Sequence, residues 1–271
     1  MPELPEVEIT RLGLLPHARH RRIVDLIIRQ PRLRWPVPGN LAELTRHQRI
    51  AELERRGKYL LMHLERGKVI IHLGMSGSLR VLDSRTPAGI HDHVDIVLDN
   101  NSCIRLRDPR RFGAVLWSEP DIVHPLLARL GTEPLSDEFD GERLYGLTRH
   151  RRNSVKAFLM DSHHIVGIGN IYANESLFHA GIHPELATGK LSRPRCIALA
   201  QAVRDTLRKS IAAGGSSLRD FTGSDGSPGY FQQHYFVYGR ADEACLRCGN
   251  PVRLLRQHQR ATYYCPHCQK K

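Results

Sequence analysis

The sequence predicts an α+β chain: a β-rich first half led by one helix, a helical second half, and a small C-terminal ribbon held by cysteines. Three observations carry this. Residues 22–118 break into short β-type runs separated by turn residues. Past Gly131 the apolar spacing returns to the helical period. Four of the six cysteines form two Cys-x2-Cys pairs near the C-terminus. The length of 271 residues favours more than one domain. With 41% apolar and 25% charged residues the chain can bury a core, and no apolar run approaches the roughly 20 residues of a membrane span.

The leading helix is expected over residues 3–18, where Val7, Leu14 and Leu15 share a face, acids fill the first turn, and Pro2 and Pro5 sit where a helix start tolerates proline. Strands are expected at 23–28, 59–64, 69–73, 79–82, 94–98, 103–106 and 114–117, with Glu65-Arg66-Gly67 and Asp99-Asn100-Asn101 as hairpin loops. That pattern gives an antiparallel sandwich or barrel. Helices follow near 137–148, 153–162, 170–180 and 192–213, the last opened by Ser192 and Pro194 and stopped by Gly214-Gly215. Residues 214–229 are rich in Gly and Ser, too long for an idle connection in a compact domain, and read either as a functional loop or as a linker.

Cys245, Cys248, Cys265 and Cys268 have zinc-ribbon spacing, and four thiolates suit a closed tetrahedral site for one structural Zn²⁺, with His267 as an alternative ligand. Cys103 and Cys196 read as buried thiols. The first ten residues hold three Glu and neither a basic nor an apolar leader region, so a cytoplasmic location is expected, and the chain is expected to act as a monomer with no membrane partner. The formal charge of +12 implies a polyanionic partner, most economically nucleic acid. Basic residues concentrate in Arg149, Arg151, Arg152 and Lys156, and in a tail where six cations face two acids. Gly167-Ile-Gly-Asn170 adds glycines that let a helix N-terminus approach a phosphate. Removal of Met1 would expose Pro2 as a secondary amine, which forms a cationic iminium with an aldehyde-level carbon; the helix start lowers its pKa, and Glu3 stands beside it as acid and base.

Taken in order, Met1-Pro-Glu-Leu-Pro-Glu-Val-Glu, Arg56-Gly-Lys-Tyr-Leu, Ile71-His-Leu-Gly-Met-Ser-Gly-Ser-Leu-Arg, His91-Asp-His-Val-Asp, Asp108-Pro-Arg-Arg-Phe-Gly, Gly167-Ile-Gly-Asn-Ile-Tyr-Ala-Asn-Glu, Ser224-Asp-Gly-Ser-Pro-Gly-Tyr-Phe and the four-cysteine ribbon resemble formamidopyrimidine-DNA glycosylase. The likeness runs from residue 1 to residue 268. It implies an N-terminal antiparallel β-sandwich with a leading helix (1–131), a helix-two-turn-helix domain with a lesion loop (132–235) and a zinc finger (236–271).

The resemblance also implies a base-excision repair enzyme, both DNA glycosylase and abasic-site lyase. Such an enzyme removes 8-oxoguanine and formamidopyrimidines from duplex DNA and cleaves the abasic site by β,δ-elimination. Pro2 is then the nucleophile and Glu3 the proton shuttle, while Lys58, Asn170 and Arg260 grip phosphates. The family gives Lys58 and Arg260 proton-donor roles as well, although a guanidinium is a better phosphate clamp than an acid. His91, Arg110 and Arg151, with Arg152 an equal candidate to Arg151, match DNA contacts. Met75, Arg110 and Phe112 match the triad that fills the void left by an extruded base. Two departures, Arg-His-Arg-Arg from 149 and Ser216-Ser217, leave the chemistry untouched. Endonuclease VIII shares the Pro2-Glu3 chemistry on oxidised pyrimidines, but Leu4, the triad and the 217–231 loop favour the purine enzyme.

Overall fold

The computed structural model describes residues 1–215 and 235–271, so most of the 214–229 loop, with Ser216-Ser217, lies outside the described residues. The chain divides into two compact units, one built on Met1–Ala128 and the other on Arg129–Ala212 with the C-terminal tail. Among the described residues no helix is long and apolar enough to cross a membrane.

The first unit opens with α1 (Leu4–Ala18), followed by β1 (Ile23–Ile28), the short α2 (Leu41–Thr45), β2 (Ile50–Arg56), β3 (Tyr59–Leu64), β4 (Gly67–His72), β5 (Ser78–Asp83), β6 (Asp92–Leu98), β7 (Ser102–Arg107), β8 (Ala114–Ser118) and a one-turn α3 (Pro125–Ala128). Two four-stranded antiparallel sheets result, ordered β1-β6-β7-β5 and β2-β3-β4-β8. Both contribute to one apolar core with Val7, Leu14 and Ala18 of α1, which gives the expected sandwich with a leading helix. The 65–67 turn needs its glycine: Gly67 has φ +143, and a Cβ there would lie 2.4 Å from Trp117.

β2 escapes a sequence reading for a local reason. Its buried residues Ile50 and Leu53 are three apart, which alternation forbids, and a bulge between Ile50 and Glu52 restores both to the inner face.

The second unit holds α4 (Gly141–Thr148), α5 (Val155–Leu159), α6 (Asn170–His179) and α7 (Arg193–Ala212), then the hairpin β9 (Arg253–Gln257) and β10 (Arg260–Tyr264). α4 begins after the 137 expected because Asp140 caps it, accepting from Arg143 N at 2.6 Å. α5 stops before 162 because the Asp161 carboxylate bonds to the His163 main chain and imidazole, a turn that competes with the helix.

One buried ionic cluster ties the first sandwich sheet to the loop after β5. Arg105, 3% exposed, grips Asp95 with Nε and Nη2 at 2.8 Å each and donates onward to the carbonyls of Thr86 and Pro87. Arg29 adds a bond to Asp95 at 2.7 Å. Burial alone raises the Asp95 carboxyl, but the bonds from Arg105 and Arg29 outweigh it and hold the group below its ordinary value. Its stabilising contribution is therefore complete above the unfolded carboxylate pKa and fades as pH falls through the lower native value. Arg105→Ala should cost about 2–3 kcal/mol in urea unfolding by stripping buried Asp95 of its bidentate partner and leaving it the bond from Arg29; a loss under 1 kcal/mol would show that the pair is not what holds this sheet.

Candidate active site and nucleic-acid interface

Pro2 is buried at the N-terminal end of α1, and Glu3, only 3% exposed, is the N-cap. A capping box fixes this end: the Glu3 side chain accepts from the Glu6 main chain, and Glu3 N donates to Glu6 Oε2 at 2.9 Å. Pro5 occupies the first turn, where its missing N–H costs nothing. The positive end of the helix dipole thus lies beside the Pro2 nitrogen. With Met1 attached that nitrogen is an amide; without it, it is a secondary amine in a field that disfavours the ammonium form.

Lys58 stands in the two-residue turn between β2 and β3, whose first residue, Gly57, takes φ +58. Across the β3–β4 register, Tyr59 faces His72 with ring centroids 4.9 Å apart. Burial first, then the charges of Lys58 and Arg34, push the His72 imidazole down to about 4. The ring is neutral at neutral pH, and its Nδ1 accepts from Gly74 N at 3.0 Å. Lys58 and Arg34 thus meet a group that cannot add to their repulsion.

Two loops, 73–77 and 108–113, meet on one carboxylate. Asp108 is fully buried; its Oδ1 accepts from Ser76 Oγ and its Oδ2 from Gly113 N, both at 2.7 Å, and Arg110 N donates to the same Ser76 Oγ at 3.1 Å. Gly74, at φ +63, permits the close approach, since a Cβ would lie 2.3 Å from the Phe112 carbonyl carbon. Arg111 is held at φ +55, a conformation that costs a non-glycine residue. From this clamp Met75 and Phe112 project 39% and 42% exposed, with the Arg110 guanidinium 5.0 Å from the Phe112 ring centroid. His91 joins the group through its carbonyl, which accepts from Asp108 N.

In the second unit the expected cationic run separates into different roles. Arg149 is spent on the Thr148 hydroxyl, the carbonyls of Tyr145 and Leu191, and the Tyr145 ring. Lys156 is 1% exposed, its ammonium bonded to Ala261 O at 2.9 Å and Thr262 Oγ1 at 2.7 Å. It therefore belongs to the interior. Arg151 bonds Leu147 O and lies over the Phe158 ring, whereas Arg152 is exposed. Asn170, the first residue of α6, donates from Nδ2 to the same Ala261 O at 3.0 Å. The Lys156–Ala261–Asn170 knot thus fixes the exposed Arg260 next to the α6 N-terminus. The β9–β10 turn is His258-Gln259, both at positive φ, where Asn-Gly is the easy choice.

The four ribbon cysteines lie with their Sγ atoms within 4.8 Å of one another, with Cys245–Cys268 at 3.9 Å and Cys248–Cys265 at 3.5 Å. A tetrahedral zinc site with Zn–S near ~2.3 Å separates its sulfurs by about 3.8 Å, so the donor set fits one structural zinc ion. Main-chain N–H groups of Arg247 and Cys268 point at Cys245 and Cys265 sulfurs, the pattern that supports thiolates. The second knuckle follows the β9–β10 hairpin; the first is a loop closed around the Ala244–Pro251 pair by main-chain bonds from Cys245 N to Asn250 O at 2.8 Å and from Val252 N to Glu243 O at 2.9 Å.

Three family models match the chain: the formamidopyrimidine-DNA glycosylase N-terminal domain over residues 1–115, the H2TH domain of the same enzymes over 130–222, and the zinc finger found in FPG and IleRS over 242–271. Formamidopyrimidine-DNA glycosylases of Marinobacter nauticus and Thioalkalivibrio sulfidiphilus are 53% and 54% identical to it over the whole of both chains. The chain belongs to the formamidopyrimidine-DNA glycosylase family. As a member it is a DNA glycosylase with abasic-site lyase activity. Among solved structures it is similar to the MutM (Fpg) protein of Thermus thermophilus (35% identity, TM-score 0.89, covering 99% of this chain and 98% of that one). It is similar also to Lactococcus lactis Fpg in complex with Fapy-dG containing DNA (32%, 0.92, all of both chains) and with abasic-site DNA (32%, 0.91, 99% and 100%).

Within this glycosylase the sequence-predicted residues fall into local groups: Pro2 with Glu3; Lys58 beside His72; His91, Arg110 and Phe112 on the Asp108 clamp, with Met75 on the adjoining loop; and Asn170 with Arg260. Asp108, His72 and Lys156 were missed as site residues. The first two sit inside quoted motifs, where Asp before Pro and His between apolar residues were the available signals; Lys156 lay in a charge run that pointed to the surface.

Two outcomes follow from this geometry. Because native His72 stays neutral down to about 4 while the unfolded ring protonates near 6.5, it stabilises fully above pH 6.5 and loses that contribution as pH falls toward 4. His72→Gln should flatten the stability–pH curve across that window, with a residual slope from His124, His164, His179 and His183, which burial also lowers; an unchanged slope would mean that His72 titrates normally. Removing zinc, or Cys265→Ser, should open residues 242–271 to limited proteolysis while a fragment spanning 1–128 survives. A Ser variant that holds zinc and resists cleavage would contradict the structural site.

Proposed function

We propose that the chain excises oxidised purines, 8-oxoguanine and formamidopyrimidines, from duplex DNA and then cleaves the abasic site by β,δ-elimination through an iminium on Pro2. The observation that carries this reading is the buried, capped start of α1, which holds Pro2 and Glu3 at the positive end of a helix. The DNA complexes of the Lactococcus lactis relative support the substrate class.

In the proposed reaction Met1 has been removed and the neutral Pro2 nitrogen attacks C1′ of the damaged nucleotide. The glycosidic bond breaks and the base departs with its electron pair. Glu3 takes the proton that the Pro2 nitrogen loses and passes it to O4′ as the sugar ring opens, leaving a C1′ iminium. The iminium acidifies C2′, whose proton is removed as the 3′ phosphate leaves; the conjugated iminium then loses its C4′ proton as the 5′ phosphate leaves, and water hydrolyses the remaining iminium and frees Pro2. A one-nucleotide gap with phosphate ends results. Lys58, Asn170, Arg151 or Arg152, His91 and Arg260 grip the backbone, with Lys58 and Arg260 also candidates for proton delivery. Met75, Arg110 and Phe112 enter the space of the extruded base: two bear apolar bulk, and the third presents a flat guanidinium. The enzyme works as a cytoplasmic monomer on double-stranded DNA.

Solved complexes of the Lactococcus lactis relative also include DNA with an oxidised pyrimidine, so lesion choice needs direct measurement. Duplexes carrying 8-oxoguanine should be cleaved at least tenfold faster than duplexes carrying thymine glycol; the reverse order would assign the pyrimidine specificity. Phe112→Ala removes no charge, so it should slow 8-oxoguanine excision by a factor set by unstacking, on the order of a few kcal/mol, and spare elimination at a preformed abasic site. The salt slope of binding should stay unchanged. Equal losses on both substrates would make the triad framework packing.

A further inference from the structure

A strongly basic surface of the first unit belongs to none of the groups above. Residues 17–22, His-Ala-Arg-His-Arg-Arg, leave the C-terminal end of α1, and residues 46–49, Arg-His-Gln-Arg, lead into β2. The main chain zips the two segments together. His20 N donates to Ile50 O and Ile50 N to Arg21 O, both at 2.8 Å; His47 N donates to Ile23 O at 2.7 Å and Ile23 N to Gln48 O at 2.9 Å. Arg22 and Arg49 form the intervening bridge, and their side chains cross to the opposite strand, Arg22 Nη1 to His47 O and Arg49 Nε to His20 O.

These ten residues contain five arginines, three histidines and no acid, and all eight of the basic ones are exposed. Arg46 is paired with Asp25 at 2.7 Å, and Arg22 lies 3.9 Å from Glu65. Arg19, Arg21 and Arg49 make no ion pair among the described residues. A cation after a helix favours the negative end of its dipole, which accounts for Arg19 but not for Arg21 or Arg49. His20 and His47 are both in the left-handed region, at φ 67 and 62, where glycine or asparagine fits more easily. Unstable backbone and unneutralised charge are thus concentrated in one place. That place is far from the proposed nucleophile: at 1.5 Å per residue, α1 carries the chain about 21 Å from residue 4 to residue 18.

We propose that this patch is a second contact surface for the phosphate backbone of duplex DNA, taking a segment other than the one at Pro2. It rests on the reading that DNA is the substrate. Unpaired guanidiniums bind phosphates bidentately and without regard to sequence, so the enzyme would hold an undamaged segment while the catalytic end engages another, and pass between the two.

The test uses the full-length, zinc-loaded protein bound to an immobilised duplex containing a stable abasic-site analogue, offered a fluorescent undamaged duplex at low salt. Wild type should retain the second duplex, Arg19→Gln/Arg21→Gln should lose it, and Arg19→Lys/Arg21→Lys should keep it. The Gln variant should also lower the salt slope for undamaged DNA by about two, one for each charge removed. Its single-turnover excision from an 8-oxoguanine duplex should match wild type. Retention by the Gln variant equal to wild type, no retention by wild type, or retention of anionic lipid vesicles in place of DNA would overturn the proposal. Failure of excision in wild type would instead strike at the function proposed above, because retention on the analogue needs no turnover.

Discussion

The nucleophile proposed here lies at the end of the chain and must be held still, and chain ends fray unless something ties them down. Here the tie is the reciprocal bond between Glu3 and Glu6. It satisfies main-chain donors that the first helical turn leaves without partners, and it does so where water is excluded: Glu3 is 3% exposed and Glu6 not at all. Two buried carboxylates are expensive without hydrogen bonds, so their presence signals that the geometry of this turn is worth that cost. The same helix then sends Val7, Leu14 and Ala18 into the core shared by both sheets. The position of Pro2 is therefore set by the packing of the whole sandwich.

The other functional groups follow one construction rule: a buried polar side chain anchors an exposed tip. Asp108 joins two loops that present Met75, Arg110 and Phe112, and Lys156 with Asn170 joins the β9–β10 hairpin that presents Arg260. Arg105 does the same for the Thr86–Pro87 segment ahead of His91. Strain collects at the tips. Arg111, His258 and Gln259 all occupy left-handed backbone, which persists only where the surroundings fix it. In the proposed function, fixed anchors with strained tips would let side chains reach a duplex without first being ordered by it.

Much of this was legible in the sequence. The leading helix, the β-rich half, the two long helices and the zinc ribbon each rest on a strong local signal: caps, alternation, a 3.6-residue period or Cys-x2-Cys spacing. β2 was invisible because a bulge breaks alternation between Ile50 and Leu53, and no period-based reading sees an inserted residue. The ends of α4 and α5 were misjudged because Asp140 and Asp161 compete with the helix through their own side chains. Charge was the least legible property. Arg149 and Lys156 look in sequence like their neighbour Arg152, yet the first two are consumed by interior bonds, and only tertiary contacts tell them apart. The site residues recognised by family motif lie in a few local groups, while the side chains that hold those groups, Asp108 and His72 above all, emerged only with the fold.

In the proposed reaction Pro2, once freed of Met1, forms the covalent bond to the sugar. Borohydride added during turnover on an 8-oxoguanine duplex reduces an iminium to a stable amine and fixes the enzyme to its product. Peptide mapping of that adduct should place it on the N-terminal proline, and a protein keeping one extra residue before Pro2 should form no adduct while still binding an abasic-site analogue. An adduct mapped to Lys58, or undiminished trapping by the extended protein, would contradict the account.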